Sequence, residues 1–281
     1  ALNNAVFHFQ GITAHAAADP WDGRSALDAV ELMNVGANYL REHVPEDVRL
    51  HYIITDGGTA PNIVPDKAAV WYYVRSEERK TVNNVYVRLK NIAEGAALMT
   101  GTKVTEEFRG GCYPCLNNEV LGNLFYKKFS CIPGINWTEE ENNFARDLNR
   151  SSAKYNELNE IERQSLDHSP IYAGKPEYEF HKDSSSTDVG DVSHIVPCVM
   201  VNTVCRNIAA QAHSWQVTAC SGCSIGFKGM LYGAKVIALG CLDVLYDPSI
   251  ITRARNEFNI DTQGDPYICP IPNGILPVAL G

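Results

Sequence analysis

Residues 24–42 read RSALDAVELMNVGANYLRE, and this stretch decides the fold of the first hundred residues. Apolar residues return there every three to four positions, which is the spacing of one face of a helix. They are Ala26, Ala29, Val30, Met33, Ala37 and Leu40. We therefore predict an amphipathic helix that packs against a layer built from the stretches on either side of it.

Those flanking stretches have the alternation, the β-rich composition and the turn residues of strands. The predicted strands cover 5–13, 49–55, 67–75 and 102–108. A second amphipathic helix is predicted over 81–99. The resulting order, β-α-β-β-α-β, is the split pattern of a ferredoxin-like sandwich, and we predict both helices on one face of its sheet. The fold class is α/β (α+β), with a domain boundary at residue 108.

The remainder, 109–281, is less regular and is interpreted as a second domain. Its predicted elements are a helix over 119–129, one or two exposed helices within 138–166, a loop over 181–192, a strand over 195–204, a long helix over 224–245 and an irregular tail from 261. The four glycines of the long helix suit close packing against a sheet. Asp191 is interpreted as a helix cap, and the role of Asp188 is left open.

Composition and charge exclude some classes of function. The chain has 281 residues, of which 45% are hydrophobic and 20% charged, as in a soluble globular protein. A formal net charge of -9 argues against nucleic-acid binding, because no basic cluster is present to neutralise phosphates. The most apolar stretch, 225–246, is interrupted by Lys228, Lys235 and Asp243, so we predict a packed helix and no membrane span.

The first ten residues contain no charged region followed by a long apolar core, so no signal peptide is visible. They also lack an initiating Met, which indicates a processed terminus or a piece of a longer chain. The nine cysteines are odd in number and mostly have apolar neighbours. We interpret them as free thiols of a reducing, cytoplasmic protein.

Three segments together carry a resemblance to a known family. They are GITAHAAADPWDGRSALDAV (11–30), GGTAPNIVPDKAAVWYYVRS (57–76), and STDVGDVSHIVPCVMVNT (186–203) with AAQAHSWQ (209–216) and FKGMLYGAKVIA (227–238). This order resembles the metal-dependent amidohydrolases and carboxypeptidases, which include hippurate hydrolase, carboxypeptidase G and the aminobenzoyl-glutamate utilisation proteins. Within the last group, these segments most resemble the sequences of the B-type subunits.

The resemblance implies that 1–108 is a lid, or dimerisation, domain and that 109–281 is the C-terminal part of a catalytic domain. In this family the N-terminal part carries most metal ligands and the general-base glutamate, and nothing here corresponds to it. The implied reaction is hydrolysis of an amide bond in an N-acyl amino acid or an aminobenzoyl-glutamate-like substrate. It implies a divalent metal, zinc or manganese, that needs ligands not present in this chain.

The resemblance also assigns roles to four residues. It implies that His213 is a metal ligand and that His15 reaches the partner's site to donate to an oxyanion. Asn62 and Arg75 would bind the substrate, whose carboxylate suits a guanidinium fork. Each residue has a structural alternative. His213 would be a surface or capping histidine and His15 a turn histidine. Asn62 would be a turn asparagine, and Arg75 would pair with a neighbouring glutamate.

The implied partners are a second copy or a related subunit, joined through the lid domain, and a small carboxylate-bearing substrate. A different class of function stays open: a non-catalytic dimerisation subunit, or a truncated remnant, that binds a partner chain. Two CxxC pairs, 112–115 and 220–223, would be compatible with a four-cysteine zinc site. Their separation is far beyond the usual 15–20 residues of a zinc ribbon, so we predict that they do not converge.

Overall fold

The protein is described from a computed structural model that covers residues 1–174, 186–263 and 266–274. The first part of the predicted 181–192 loop and the end of the predicted tail lie outside these residues. Two compact units are present. The first contains residues 1–116 with 186–196 and 266–274, and the second contains 117–174 with 197–263.

The first unit has the predicted β-α-β-β-α-β order. Its elements are β1 (Leu2–Gln10), α1 (Ala26–Leu40), β2 (Arg49–Asp56), β3 (Lys67–Arg75), α2 (Arg79–Thr100) and β4 (Lys103–Cys112). The four strands form an antiparallel sheet in the order β2-β3-β1-β4. β4 runs four residues past the boundary that we placed at 108, and the unit continues to Leu116.

Both helices cover one face of this sheet, as predicted. Alternate residues of β1 and β3 point into the core that α1 and α2 close, among them Phe7, Phe9, Val70 and Tyr72. Tyr72 also donates a hydrogen bond of 2.5 Å to the buried amide oxygen of Asn34 on α1. This bond fixes α1 on β3, because a buried amide oxygen without a donor would be costly.

The second unit is helical. Its helices are α3 (Glu119–Phe129), α4 (Glu139–Arg150), α5 (Ala153–Glu157), α6 (Glu160–His168), α8 (Trp215–Ser221), α9 (Ser224–Tyr246) and α10 (Ser249–Asp261). The short helix α7 (Val189–Ser193) lies between α6 and α8 in the sequence but belongs to the first unit. The helix α10 was not predicted. The strand predicted over 195–204 was wrong for this chain: within the described residues the stretch 197–204 has no strand partner and is assigned to no strand. A β-rich sequence cannot form a strand without a neighbour to pair with.

The glycines of α9 let this helix approach an extended segment closely. A Cβ on Gly229 would lie 2.1 Å from the carbonyl oxygen of Val204, and one on Gly233 would touch Thr203.

Among the helices of the described part, α9 alone is long and apolar enough to cross a membrane. Its glycine face is buried within the unit, but Met230, Leu231 and Leu245 are exposed, so the predicted packing holds for the glycine face only.

Glu141 joins α4 to α9 and makes the stability of the second unit pH-dependent. Burial raises the pKa of this carboxyl, but hydrogen bonds from Lys228, Ser224 and the Thr138 amide outweigh it and bring the pKa to about 2. A depressed pKa stabilises the folded state above the unfolded value near 4.3 and loses this contribution as the pH falls. We expect the free energy of unfolding to drop between about pH 4.5 and 2. The Glu141→Gln variant, measured by denaturant titration, should show a smaller drop over this range.

Candidate functional site

The loop between β1 and α1, residues 11–25, is held against the segment 60–66 by backbone hydrogen bonds. A single antiparallel bridge joins His15 to Ile63. The amide of Ala16 donates to the carbonyl of Asn62 at 3.0 Å, and the amide of Val64 donates to Ala14 at 3.0 Å. Both segments lie at the end of the sheet where β1 finishes and β3 begins, so His15 and Asn62 are brought together there.

The orientation of the His15 ring is set by its own loop. Its Nδ1 accepts hydrogen bonds from the backbone amides of Ala17 at 3.2 Å and Ala18 at 3.0 Å. Because Nδ1 accepts from two amides, we assign the ring proton to Nε2, the remaining nitrogen of this exposed side chain. The arrangement can therefore donate a hydrogen bond to a negatively charged oxygen of a ligand.

The sequence did not indicate the two alanine amides that hold the His15 ring. The signal available was His-Ala-Ala-Ala at 15–18, since small residues allow a tight turn around the imidazole. No side chain could have revealed this role, because the donors are backbone N–H groups.

Asn62 is exposed beside His15, and no hydrogen bond joins its side-chain amide to another described residue. A turn asparagine usually bonds its own neighbouring backbone, which was the alternative considered. Pro61 and Pro65 stiffen the segment around it. The Asn62 side chain is thus exposed on a segment whose backbone is paired with the His15 loop.

Arg75 is not part of this arrangement, although the resemblance implied that Asn62 and Arg75 bind the same substrate. It pairs with Leu2 and Arg49, whereas the other end of β3, Lys67, pairs with Gln10. The two ends of this nine-residue strand are separated by about 26 Å. The sheet geometry therefore places Arg75 at the opposite end from His15 and Asn62.

Arg75 does lie on the face of the sheet that the helices leave uncovered. Its guanidinium carbon is 5.5 Å from the ring centroid of Tyr73, a cation–π contact. The assignment of Arg75 as a carboxylate ligand stays a prediction, but within one chain it cannot serve the same bound molecule as His15. A carboxylate bound by Arg75 would belong to a different site.

His213 lies in an exposed turn before α8, and its backbone has φ = 62°, in the left-handed region. A non-glycine residue in that region is uncommon and is often retained at functional sites. No three His, Cys, Asp or Glu side chains of the described residues form a group that could hold a metal ion. His213 stays a predicted ligand.

One cysteine of each CxxC pair, Cys112 and Cys220, is a buried thiol, and its partner is half-buried. Burial raises the pKa of Cys112 and of Cys220, which favours the protonated form and disfavours metal binding. The interpretation of Asp191 as a cap was wrong: its carboxylate accepts a hydrogen bond from the Tyr113 amide at 3.4 Å. The N-cap of α7 is Asp188, whose side chain makes no capping bond.

Residues 2–98 match the model of the peptidase dimerisation domain of the M20 type. This match covers nearly the whole of the β-α-β-β-α part that carries His15 and Asn62. The first unit is therefore similar to the dimerisation domains of M20-type peptidases.

Two curated relatives extend the likeness over nearly the whole chain. The B-type subunit of the p-aminobenzoyl-glutamate hydrolase of Escherichia coli is 36% identical over 98% of this chain and 61% of its own length. The Xaa-Arg dipeptidase of Mus musculus is 27% identical over 94% of this chain and 52% of its own. The chain therefore spans only about half to three fifths of the curated relatives that it matches. A solved aminobenzoyl-glutamate utilisation protein from Klebsiella pneumoniae aligns with a TM-score of 0.43 and 22% identity over 48% of this chain and 34% of its own.

Proposed function

We propose that the complete protein hydrolyses the amide bond of an N-acyl amino acid, with an aminobenzoyl-glutamate-like molecule as the leading substrate class. The observation that carries this proposal is the fixed His15 ring, whose Nδ1 is occupied by two amides, so that the proton is assigned to Nε2. The names of the two relatives, a hydrolase subunit and a dipeptidase, support the same reaction class.

His15 would act on the oxygen of the scissile amide. When a nucleophile attacks the carbonyl carbon, the oxygen becomes negative, and a donor that is already oriented stabilises it more than it stabilises the substrate. Since the two backbone bonds hold the ring in place, little reorganisation is needed at the moment of reaction. Asn62, next to it, would hold a carbonyl or carboxylate oxygen of the bound molecule and so fix its orientation.

The proposed enzyme needs a divalent metal, zinc or manganese, and His213 would be one of its ligands. The other ligands would come from polypeptide outside this chain, because no group of three possible ligands is present among the described residues. A segment of the second unit also supports the proposal that further polypeptide completes the catalytic domain. Residues 198–206 make no backbone hydrogen bond to another described backbone group, although their sequence favours a strand. We propose that strands from the remaining polypeptide pair with this segment.

The partner would be a second copy of the chain or a related subunit, as the match to a dimerisation domain and the relative's description as a subunit suggest. β2 is an edge strand of the sheet and exposes Ile53 and Ile54. An exposed apolar edge is a surface that a partner strand can cover. We also propose a cytoplasmic location, supported by nine free cysteines.

We expect the purified 281-residue chain to retain no stoichiometric metal after dialysis and to release no amino acid from N-benzoyl-glutamate. Elemental analysis and a ninhydrin-type assay measure both. Co-expression with the portion of the relative that this chain does not cover should restore the activity. Hydrogen exchange of the 198–204 amides should then slow at least about tenfold, because pairing would protect them.

Two results would contradict this proposal. One tightly bound metal per isolated chain would mean that the described residues do hold it. A stable complex with protected 198–204 amides but without hydrolysis of any N-acyl amino acid would favour the other candidate, a non-catalytic dimerisation subunit. The exposed edge of β2 is the observation that favours this second candidate.

A further inference from the structure

We propose that Trp21 is a specificity-determining residue that packs against an aromatic acyl group of the substrate. His15 would contact the carbonyl oxygen of that same acyl group. This inference rests on the proposed amide hydrolysis and assigns the part of the substrate on the acyl side of the bond. Trp21 lies in the same 11–25 loop as His15, in the short 3-10 helix Pro20–Asp22.

The indole of Trp21 is 70% exposed, although the loop that carries it is tightly held. Of the four tryptophans, only Trp215 is comparably exposed, at 62%, and it lies two residues after His213. Trp71 and Trp137 are half-buried. Each exposed tryptophan thus accompanies a candidate site histidine. Large exposed aromatic side chains at such places are typical of recognition surfaces.

The backbone around Trp21 is fixed without help from its indole. Arg24 donates from Nη1 to the Trp21 carbonyl at 3.0 Å, and the Gly23 amide donates to Pro20 at 3.2 Å. Gly23 lies against Val64, since a Cβ there would approach the Val64 side chain to 2.9 Å. The fold therefore does not require the indole, and its rigid presentation is available for a ligand.

The loop also places Trp21 within reach of a molecule bound at His15. The amide of Asp19 donates to the His15 carbonyl at 3.1 Å, which makes Asp19 a neighbour of His15 in space. Trp21 is two residues further, at most about 7 Å along the chain. Ile63 is paired with His15 and 42% exposed, so a second apolar side chain lies next to the imidazole.

Charge indicates which part of the substrate lies there. Asp19 and Asp22 flank Trp21 in the sequence, and the Arg24 guanidinium contacts the Trp21 carbonyl. The two carboxylates outnumber this one cation, so the carboxylate of the released amino acid would lie on the other side of the scissile bond. An uncharged or amine-bearing aryl group suits the surroundings of Trp21. An aryl group with its own carboxylate does not.

The test uses the complete dimeric enzyme and two substrates that differ only in the acyl group, N-benzoyl-glutamate and N-acetyl-glutamate. We expect Trp21→Ala to lower kcat/KM for the benzoyl substrate by about tenfold and to change the acetyl value by less than about twofold. Trp21→Phe should retain most of the benzoyl activity. Trp71→Phe, a change on the open face of the sheet, is the matched control and should leave the ratio of the two substrates unaltered.

Equal losses on both substrates, or no loss, would overturn the inference. Sedimentation of each variant reports whether Trp21→Ala instead weakens the dimer, which would make Trp21 a partner contact and would also overturn it. The His15→Ala variant separates this failure from that of the proposed function. It should lose activity on both substrates, and if it loses none, the proposed function itself fails.

Discussion

Replacement of His15 by Ala in the complete enzyme is expected to lower kcat by about 10²–10³-fold, with little change in KM, as for the loss of one oxyanion donor. The physical reason is that the Nε2 donor acts on charge that develops only during the reaction. Since the Ala17 and Ala18 amides lose their acceptor at the same time, the loop is the part of the variant to check. Unchanged thermal unfolding of the variant would show that the lower kcat comes from the missing Nε2 donor and not from a disturbed fold.

A mixing experiment tests whether His15 serves the partner's site. Chains with His15→Ala are combined with chains with His213→Ala, each nearly inactive alone. If His15 acts across the dimer, each mixed dimer keeps one intact site. Random mixing in a two-fold dimer should then recover about one quarter of the wild-type activity. No recovery, with the mixed dimer confirmed by mass, would mean that His15 acts in its own chain or has no role in catalysis.

Replacement of Gly229 by Ala is expected to destabilise the second unit by about 2–4 kcal/mol, because an added Cβ would overlap a neighbouring group in a packed interior. That neighbour is the backbone carbonyl of Val204, which a Cβ would meet at 2.1 Å. A backbone group cannot rotate away as a side chain can. Calorimetry of the whole chain should show a melting temperature lowered by about 4–16 °C.

The matched control is Gly95, which also lies inside a helix, α2. A Cβ there would meet nothing within 4 Å. Gly95→Ala should therefore stabilise the chain by about 0.5–1 kcal/mol, through the lower entropy of the unfolded state and the better helix propensity of Ala. Similar melting temperatures for the two variants would show that α9 does not pack on Val204 as closely as described.

Local patterns predicted much of the first unit. The apolar spacing of 24–42 indicated the face of α1, and the alternation of 67–75 indicated which residues of β3 point into the core. Both are properties of neighbouring residues, which a sequence records directly.

Other features depended on partners distant in the sequence. The sequence could not show that Arg75 ends β3 at the opposite end from His15, since this follows from the strand register. It could not show that 197–204 lacks a neighbouring strand within the described part of the chain, because strand formation needs a second segment to pair with. Nor could it show the two backbone donors to Nδ1 of His15.

The sequence by itself thus determined the class of fold, the two helix faces and the family that the site residues resemble. The tertiary structure decided which of those residues lie at the same end of the sheet: His15 and Asn62 do, and Arg75 lies at the other end. It also decided to which nitrogen of His15 the proton is assigned. The reason is that spacing along a chain fixes local geometry, whereas distances between loops and the hydrogen bonds of an imidazole depend on how separate segments pack.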